Sequence, residues 1–135
     1  MEAPRTSLNV HLPWPQTADL LGLGQADAAL PARTACPLCH HRRLQVYEDG
    51  LCGGAWFACP DCGRSGDLIE LAAAAWGMGL PATLTQLARR GAPLPAEALD
   101  PQRVADYVRD YPAYRQRLRA LWQRAPSLTA SASSG

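Results

Sequence analysis

The sequence predicts a small α+β fold, a short antiparallel sheet flanked by α-helices, and three observations predict it. Two Cys-x-x-Cys pairs, Cys36/Cys39 and Cys59/Cys62, bracket a stretch of nineteen residues. Inside that stretch LQVY (44–47) and AWFA (55–58) read as strands, with Glu48-Asp49-Gly50 between them, and Asp-Gly is a strong hairpin signal. Past the second pair, Asp67 precedes the apolar residues Leu68, Ile69 and Leu71, with Glu70 three positions on, a capping-box arrangement that starts a helix at about Leu68.

The spacing Cys36-x2-Cys39-x19-Cys59-x2-Cys62 lies in the window of a zinc ribbon. A Cys-x-x-Cys turn points two thiolates at one centre, and Zn²⁺ takes four soft ligands at tetrahedral corners. A hairpin whose ends each carry such a knuckle is a zinc ribbon. A redox dithiol would use one pair and leave the other idle, and it needs a βαβ setting that this chain lacks. The expectation is therefore one structural Zn²⁺ held by Cys36, Cys39, Cys59 and Cys62. His40 and His41 follow Cys39 directly and either could replace it, although thiolate is the usual ligand in structural ribbons. Cys52, just past the turn, reads as a spare small apolar residue. Four thiolates leave the metal no vacant position, so it contributes folding free energy and does not activate water. The chain has no Walker loop, nucleotide fingerprint, spaced nucleophile–base pair or carboxylate cluster for Mg²⁺, and no catalytic residue is assigned.

After the second pair, Gly63 and Gly66 are read as letting the backbone turn into the helix, which Gly77 and Gly79 end. Pro81 suits the first turn of a second helix, continued by Thr83, Leu84 and Leu87 as far as Gly91. In DPQRVADYVRDYPAYRQRLRALWQR, the residues Val104, Tyr107, Val108, Tyr111, Tyr114, Leu118, Leu121 and Trp122 lie at helical spacing, and Pro112 is expected to kink or divide the helix. The apolar stripe is read as packing against the ribbon or a neighbouring domain, and the arginine face as solvated.

The strings C-P-x-C-H (36–40) and W-F-x-C-x-x-C-G-x-x-G-D-L-I-E-L (56–71) resemble the zinc-binding domain of bacterial and phage DNA primases, the Cys-His-Cys-Cys type. LIELAAAAWGMGLPATLTQLARRGAPLP is similar to that family's helix, break and second helix, and TADLLGLG to its short preceding helix, so residues 17–95 are covered. The Gly-Asp after the last knuckle is more specific than four cysteines alone. The family usually has His where this chain has Cys39. The resemblance implies a part in priming DNA synthesis during replication, in which the zinc domain contacts the single-stranded DNA template while a separate primase catalytic domain, working with a helicase, joins ribonucleotides. No such catalytic domain is present in these residues, so a piece of a primase or primase-helicase, or a stand-alone module of a phage or mobile element, is expected. On the ribbon, bases would stack on aromatics and phosphates meet cations. Arg42, Arg43, Tyr47, Trp56 and Arg64 are the candidate contacts. Trp56 and Phe57 are neighbours in a strand and face opposite sides, so Phe57 is placed inside and Trp56 outside. Competing readings are a zinc ribbon of a transcription-type or other DNA-associated factor, and a protein-interaction module whose arginine-rich helix meets a partner.

Within 135 residues the organisation read is an arm (1–16), the ribbon domain with two following helices (17–95), an arginine-rich helical segment (96–125) and a tail or linker, SLTASASSG among it (126–135). All 13 cations are arginine and net charge is +1, so no strong overall field favours nucleic acid or membrane. The charge is nevertheless uneven: residues 101–124 carry six arginines against Asp106 and Asp110. No signal-peptide or membrane-spanning stretch is read, five cysteines argue against a secreted disulfide framework, and a cytoplasmic location is expected.

Overall fold

Among the described residues of the computed structural model no strand exceeds four residues, so the sheet is held by what covers it. Residues 12–23, 32–41, 43–47 and 55–124 are described. The order is α1 (Trp14–Leu20), β1 (Ala32–Thr34), β2 (Leu44–Tyr47), β3 (Trp56–Cys59), β4 (Arg64–Asp67), α2 (Leu68–Trp76), α3 (Leu80–Arg89), a 3₁₀ turn (Ala96–Leu99) and α4 (Pro101–Gln123). The four strands form one antiparallel meander in the order β1-β2-β3-β4.

The expected hairpin is present, with Gln45 opposite Ala58, Val46 opposite Phe57 and Tyr47 opposite Trp56. Its Asp-Gly turn and Cys52 lie outside the described residues. All four residues of β2 and all four of β3 are buried. Side chains alternate across a strand, so both faces of the sheet are covered. That corrects the outward placing of Trp56. Phe57 and Trp56 do take opposite faces, but Trp56 is only 3% exposed, stacked on Tyr47 at 4.4 Å with the rings 19° apart. The Tyr47 hydroxyl donates to the buried Gln45 Oε1 at 2.6 Å, which explains how a glutamine is tolerated inside the sheet.

Strand β4, Arg-Ser-Gly-Asp, forms although it has no β-branched or aromatic residue, where the glycines predict only a turn into the capped helix. Pairing with β3 makes it a strand. Helix α1 starts at Trp14, inside the stretch read as an arm, because Pro15 suits a first turn and the Thr17 hydroxyl donates to the Pro13 carbonyl at 2.8 Å. Helix α2 begins at Leu68 and ends at Gly77 in the left-handed conformation, φ 64°, as glycine there allows. It turns through 93° into α3, and among the described residues no single helix is long and apolar enough to cross a membrane.

Pro112 is expected to kink or divide α4; the helix runs through it as one element and is not divided. An internal proline costs about 3 kcal/mol in lost hydrogen bonding and crowding, and here contacts on either side of it offset that cost. Tyr107 donates to Asp67 Oδ2 at 2.6 Å, Tyr111 accepts from the Asp67 N–H at 3.1 Å and donates to Glu70 Oε1, and Arg115 Nη1 donates to Glu70 Oε2 at 3.0 Å. Asp67 caps α2 by accepting from the Glu70 N–H at 2.8 Å, so half of the expected capping box is formed. The other half is relayed: Glu70 does not reach back to the Asp67 N–H, and Tyr111 of α4 stands between them. These residues join the end of the sheet, the start of α2 and the middle of α4.

Gly66 matters for space, not for its backbone angle, which corrects the turning role assigned to it. A Cβ on Gly66 would land on Glu70 Oε1 and 2.6 Å from the Tyr111 hydroxyl. Both atoms are fixed by the bonds above, so Gly66→Ala is expected to lower unfolding free energy by about 2 kcal/mol or more, measured by urea denaturation. At Gly63, φ 75°, the angle itself is the reason for glycine.

The Asp67 carboxyl lies beneath Tyr107 and Tyr111, and burial, partly offset by the hydroxyl and backbone donors, pushes its pKa up to about 6. The carboxyl is harder to ionise folded than unfolded, so its contribution to stability is greatest in acid and is lost as pH rises towards and through about 6. Stability of wild type minus that of Asp67→Asn should therefore fall by about 1 kcal/mol between pH 5 and pH 7.5. A flat difference would show an ordinary carboxylate.

Candidate metal centre

The four predicted cysteines converge from two copies of one turn. Cys36-Pro37-Leu38-Cys39-His40 precedes the hairpin, and Cys59-Pro60-Asp61-Cys62-Gly63 follows it. In each, the N–H of the fifth residue donates to the carbonyl of the first at 2.8 Å, His40 to Cys36 and Gly63 to Cys59. Each fifth residue is left-handed, His40 at φ 65° and Gly63 at φ 75°. That closed turn brings both sulfurs of a pair to one side, and the Leu38 N–H also points at Cys36 Sγ, 3.4 Å away. Pairing of β2 with β3 then carries the second knuckle to the first.

The sulfurs of Cys36, Cys39, Cys59 and Cys62 all lie within 4.8 Å of one another, and the group could hold a metal ion. Across the knuckles, Cys36 and Cys62 are 3.8 Å apart and Cys39 and Cys59 are 3.6 Å apart. A tetrahedron with metal–sulfur bonds of about 2.3 Å has edges of about 3.8 Å, so these separations suit four thiolates around one ion. They are far too long for a disulfide, and all four thiols are free. Cys36 and Cys59 are buried, Cys39 is half-buried and Cys62 exposed. Burial pushes the Cys59 thiol pKa up. Ionising it needs a neighbouring positive charge, which a bound cation supplies, so binding would release protons and weaken in acid.

His40 is exposed and stands outside the sulfur group; its task is the left-handed corner of its knuckle. His41 faces Asp61 of the other knuckle, Nδ1 to Oδ2 at 3.8 Å, and Arg43 reaches the same carboxylate at 3.4 Å. Asp61 thus ties the knuckles from outside, in exposed pairs worth little individually.

The expected nucleic-acid contacts are not brought together as one face. Arg42 lies outside the described residues, and Arg43 leans on Asp61. Tyr47 and Trp56 are buried against each other, so neither ring is offered to a base. Arg64 is exposed at the start of β4. The residues missed in the sequence are Asp67, Glu70, Tyr107, Tyr111 and Arg115 as one bonded group. Its visible trace was Tyr107, Tyr111 and Arg115 recurring every four residues, one face of a helix. Comparison of the chain with protein-family models, with curated proteins and with solved structures finds no match.

Cys59→Ser should abolish stoichiometric metal binding and leave the sheet unformed, read by metal analysis of the purified protein and by circular dichroism. His40→Gly separates a ligand from a corner residue. A non-glycine residue in the left-handed region costs about 1 kcal/mol. This variant should keep its metal and gain up to about 1 kcal/mol of stability; loss of metal would make His40 a ligand.

Proposed function

We propose that this chain is a structural zinc ribbon of the DNA-primase type, whose task is to hold a surface against the single-stranded template during primer synthesis. The observation that carries the reading is the pair of Cys-Pro-x-Cys knuckles meeting at tetrahedral spacing, with the second knuckle passing through the short strand β4 into a helix capped by Asp67. Zinc is the ion proposed because four sulfur donors at tetrahedral edges suit it, and four protein ligands leave no position for a substrate or water. The metal's part is folding free energy. What this chain's own residues do is position: the knuckles clamp the hairpin, Asp67 launches α2, and the tyrosines of α4 bind that junction.

Catalysis of primer synthesis is assigned to a separate domain, acting with a helicase, because the described residues offer a binding surface and no reactive constellation. The buried Tyr47–Trp56 pair supports contact through phosphates more than through base stacking. Binding is then weak and steeply salt-dependent, since phosphate contacts act by releasing counterions.

Purified protein carrying one zinc per chain should bind a labelled oligothymidine by fluorescence anisotropy, with affinity falling as salt rises, and lose that binding when the metal is chelated. Zinc-loaded, folded protein that binds no single-stranded DNA at high concentration would refute the template reading and favour a protein-interaction ribbon.

A further inference from the structure

Beside the second knuckle, α4 and the outer edge of β4 enclose a groove of about 380 Å³ that the metal site does not use. Arg64 enters it from β4, and Arg115 and Arg119 from α4, four residues apart and so on one helix face. Glu70 is the one carboxylate lining it, and it is already taken by Arg115 and Tyr111. Among the described residues neither the Arg64 nor the Arg119 guanidinium has an ion-pair or hydrogen-bond partner, and both residues are exposed. Three guanidinium groups thus share a small groove with one negative charge. Like charges four apart on a helix repel, and an anion between them would relieve that repulsion.

The backbone adds a donor. β4 is an edge strand, and its Asp67 N–H turns away from β3 to the Tyr111 hydroxyl. Antiparallel N–H groups alternate sides, so the buried Ser65, 4% exposed, directs its N–H to the same side, within the groove lining. Arg115 is set in place before any ligand arrives, by Glu70 and by its position 5.8 Å over the Tyr111 ring. Guanidinium forks and an edge N–H are the donors that phosphate oxygens accept from.

We infer that this groove binds phosphate, through Arg64, Arg115, Arg119 and the Ser65 N–H, and that it is where the backbone of a single strand crosses the protein. The choice of a nucleic-acid strand as the source of the phosphate rests on the template reading above; the groove itself rests on the arginines. The strand would pass along the β4–α4 seam beside the second knuckle, not over the aromatic face of the hairpin.

The test uses zinc-loaded full chain, a labelled oligothymidine and inorganic tripolyphosphate, with Arg64→Gln, Arg119→Gln and Arg117→Gln. Arg117 is exposed on the same helix, about 200° around from Arg115, so its variant removes equal charge from another face. Arg64→Gln and Arg119→Gln should each weaken oligothymidine binding by about five-fold and reduce the salt slope by about 0.7, the loss of one single-strand phosphate contact. Arg117→Gln should leave both almost unchanged. Tripolyphosphate should shift the amide signals of Arg64 and Ser65. Equal losses in all three variants would overturn the groove while leaving template binding intact. Tripolyphosphate shifts at Ser65 with no oligothymidine binding would sustain the groove and refute the template reading. Neither ligand binding would refute both.

Discussion

Everything in this fold depends on four sulfur atoms meeting at one point. Strands of three and four residues cannot hold a sheet by their own hydrogen bonding, and the knuckle turns would open without a shared partner. Brought within 4.8 Å of one another, the four thiols form a clasp that fixes where β2 starts and where β3 ends. The register of the hairpin follows, and with it the burial of Val46, Phe57, Tyr47 and Trp56. A cation would make the clasp favourable, because a buried thiol such as Cys59 resists ionisation without one.

A second group of bonds carries that order outward. Asp67 ends the sheet and Glu70 lies three residues on in α2, and each is answered from α4, by Tyr107, Tyr111 and Arg115. Buried carboxylates are costly unless satisfied, and here the hydroxyls and one guanidinium satisfy them. The same contacts hold α4 as one helix across Pro112, where a free helix would break. Gly66 is required because the two side chains fill the space its own would take. The arginine-rich helix is therefore a built part of the ribbon unit, fixed close to the cysteine cluster, and Arg115 and Arg119 face the edge strand from a defined position.

Much of this could be read in advance, and the physical reason differs by part. The clustering of Cys36, Cys39, Cys59 and Cys62 was legible because metal chemistry restricts both residue type and spacing. The hairpin strands were legible because alternation and β-branching act locally, and the start of α2 because a cap is a contact three residues long. What escaped was non-local. Arg-Ser-Gly-Asp carries no strand propensity of its own and becomes β4 only through β3. Trp56 was placed outside on the assumption that the sheet has one buried face, whereas the cover on both faces comes from segments distant in sequence. That Pro112 does not divide α4 could not be read locally, because its compensating bonds lie more than forty residues upstream, at Asp67 and Glu70.

The most direct test of the central claim is removal of the metal from native protein, followed by amide and tyrosine ring signals in NMR as chelator is added. Loss of the knuckle and β2–β3 signals in one step with release of the metal, accompanied by collapse of the Tyr107 and Tyr111 environments, is the expected result. A metal-free protein that keeps the dispersed signals of the sheet and of both tyrosines would contradict it, and would make the four cysteines an ornament on a fold that stands by packing alone.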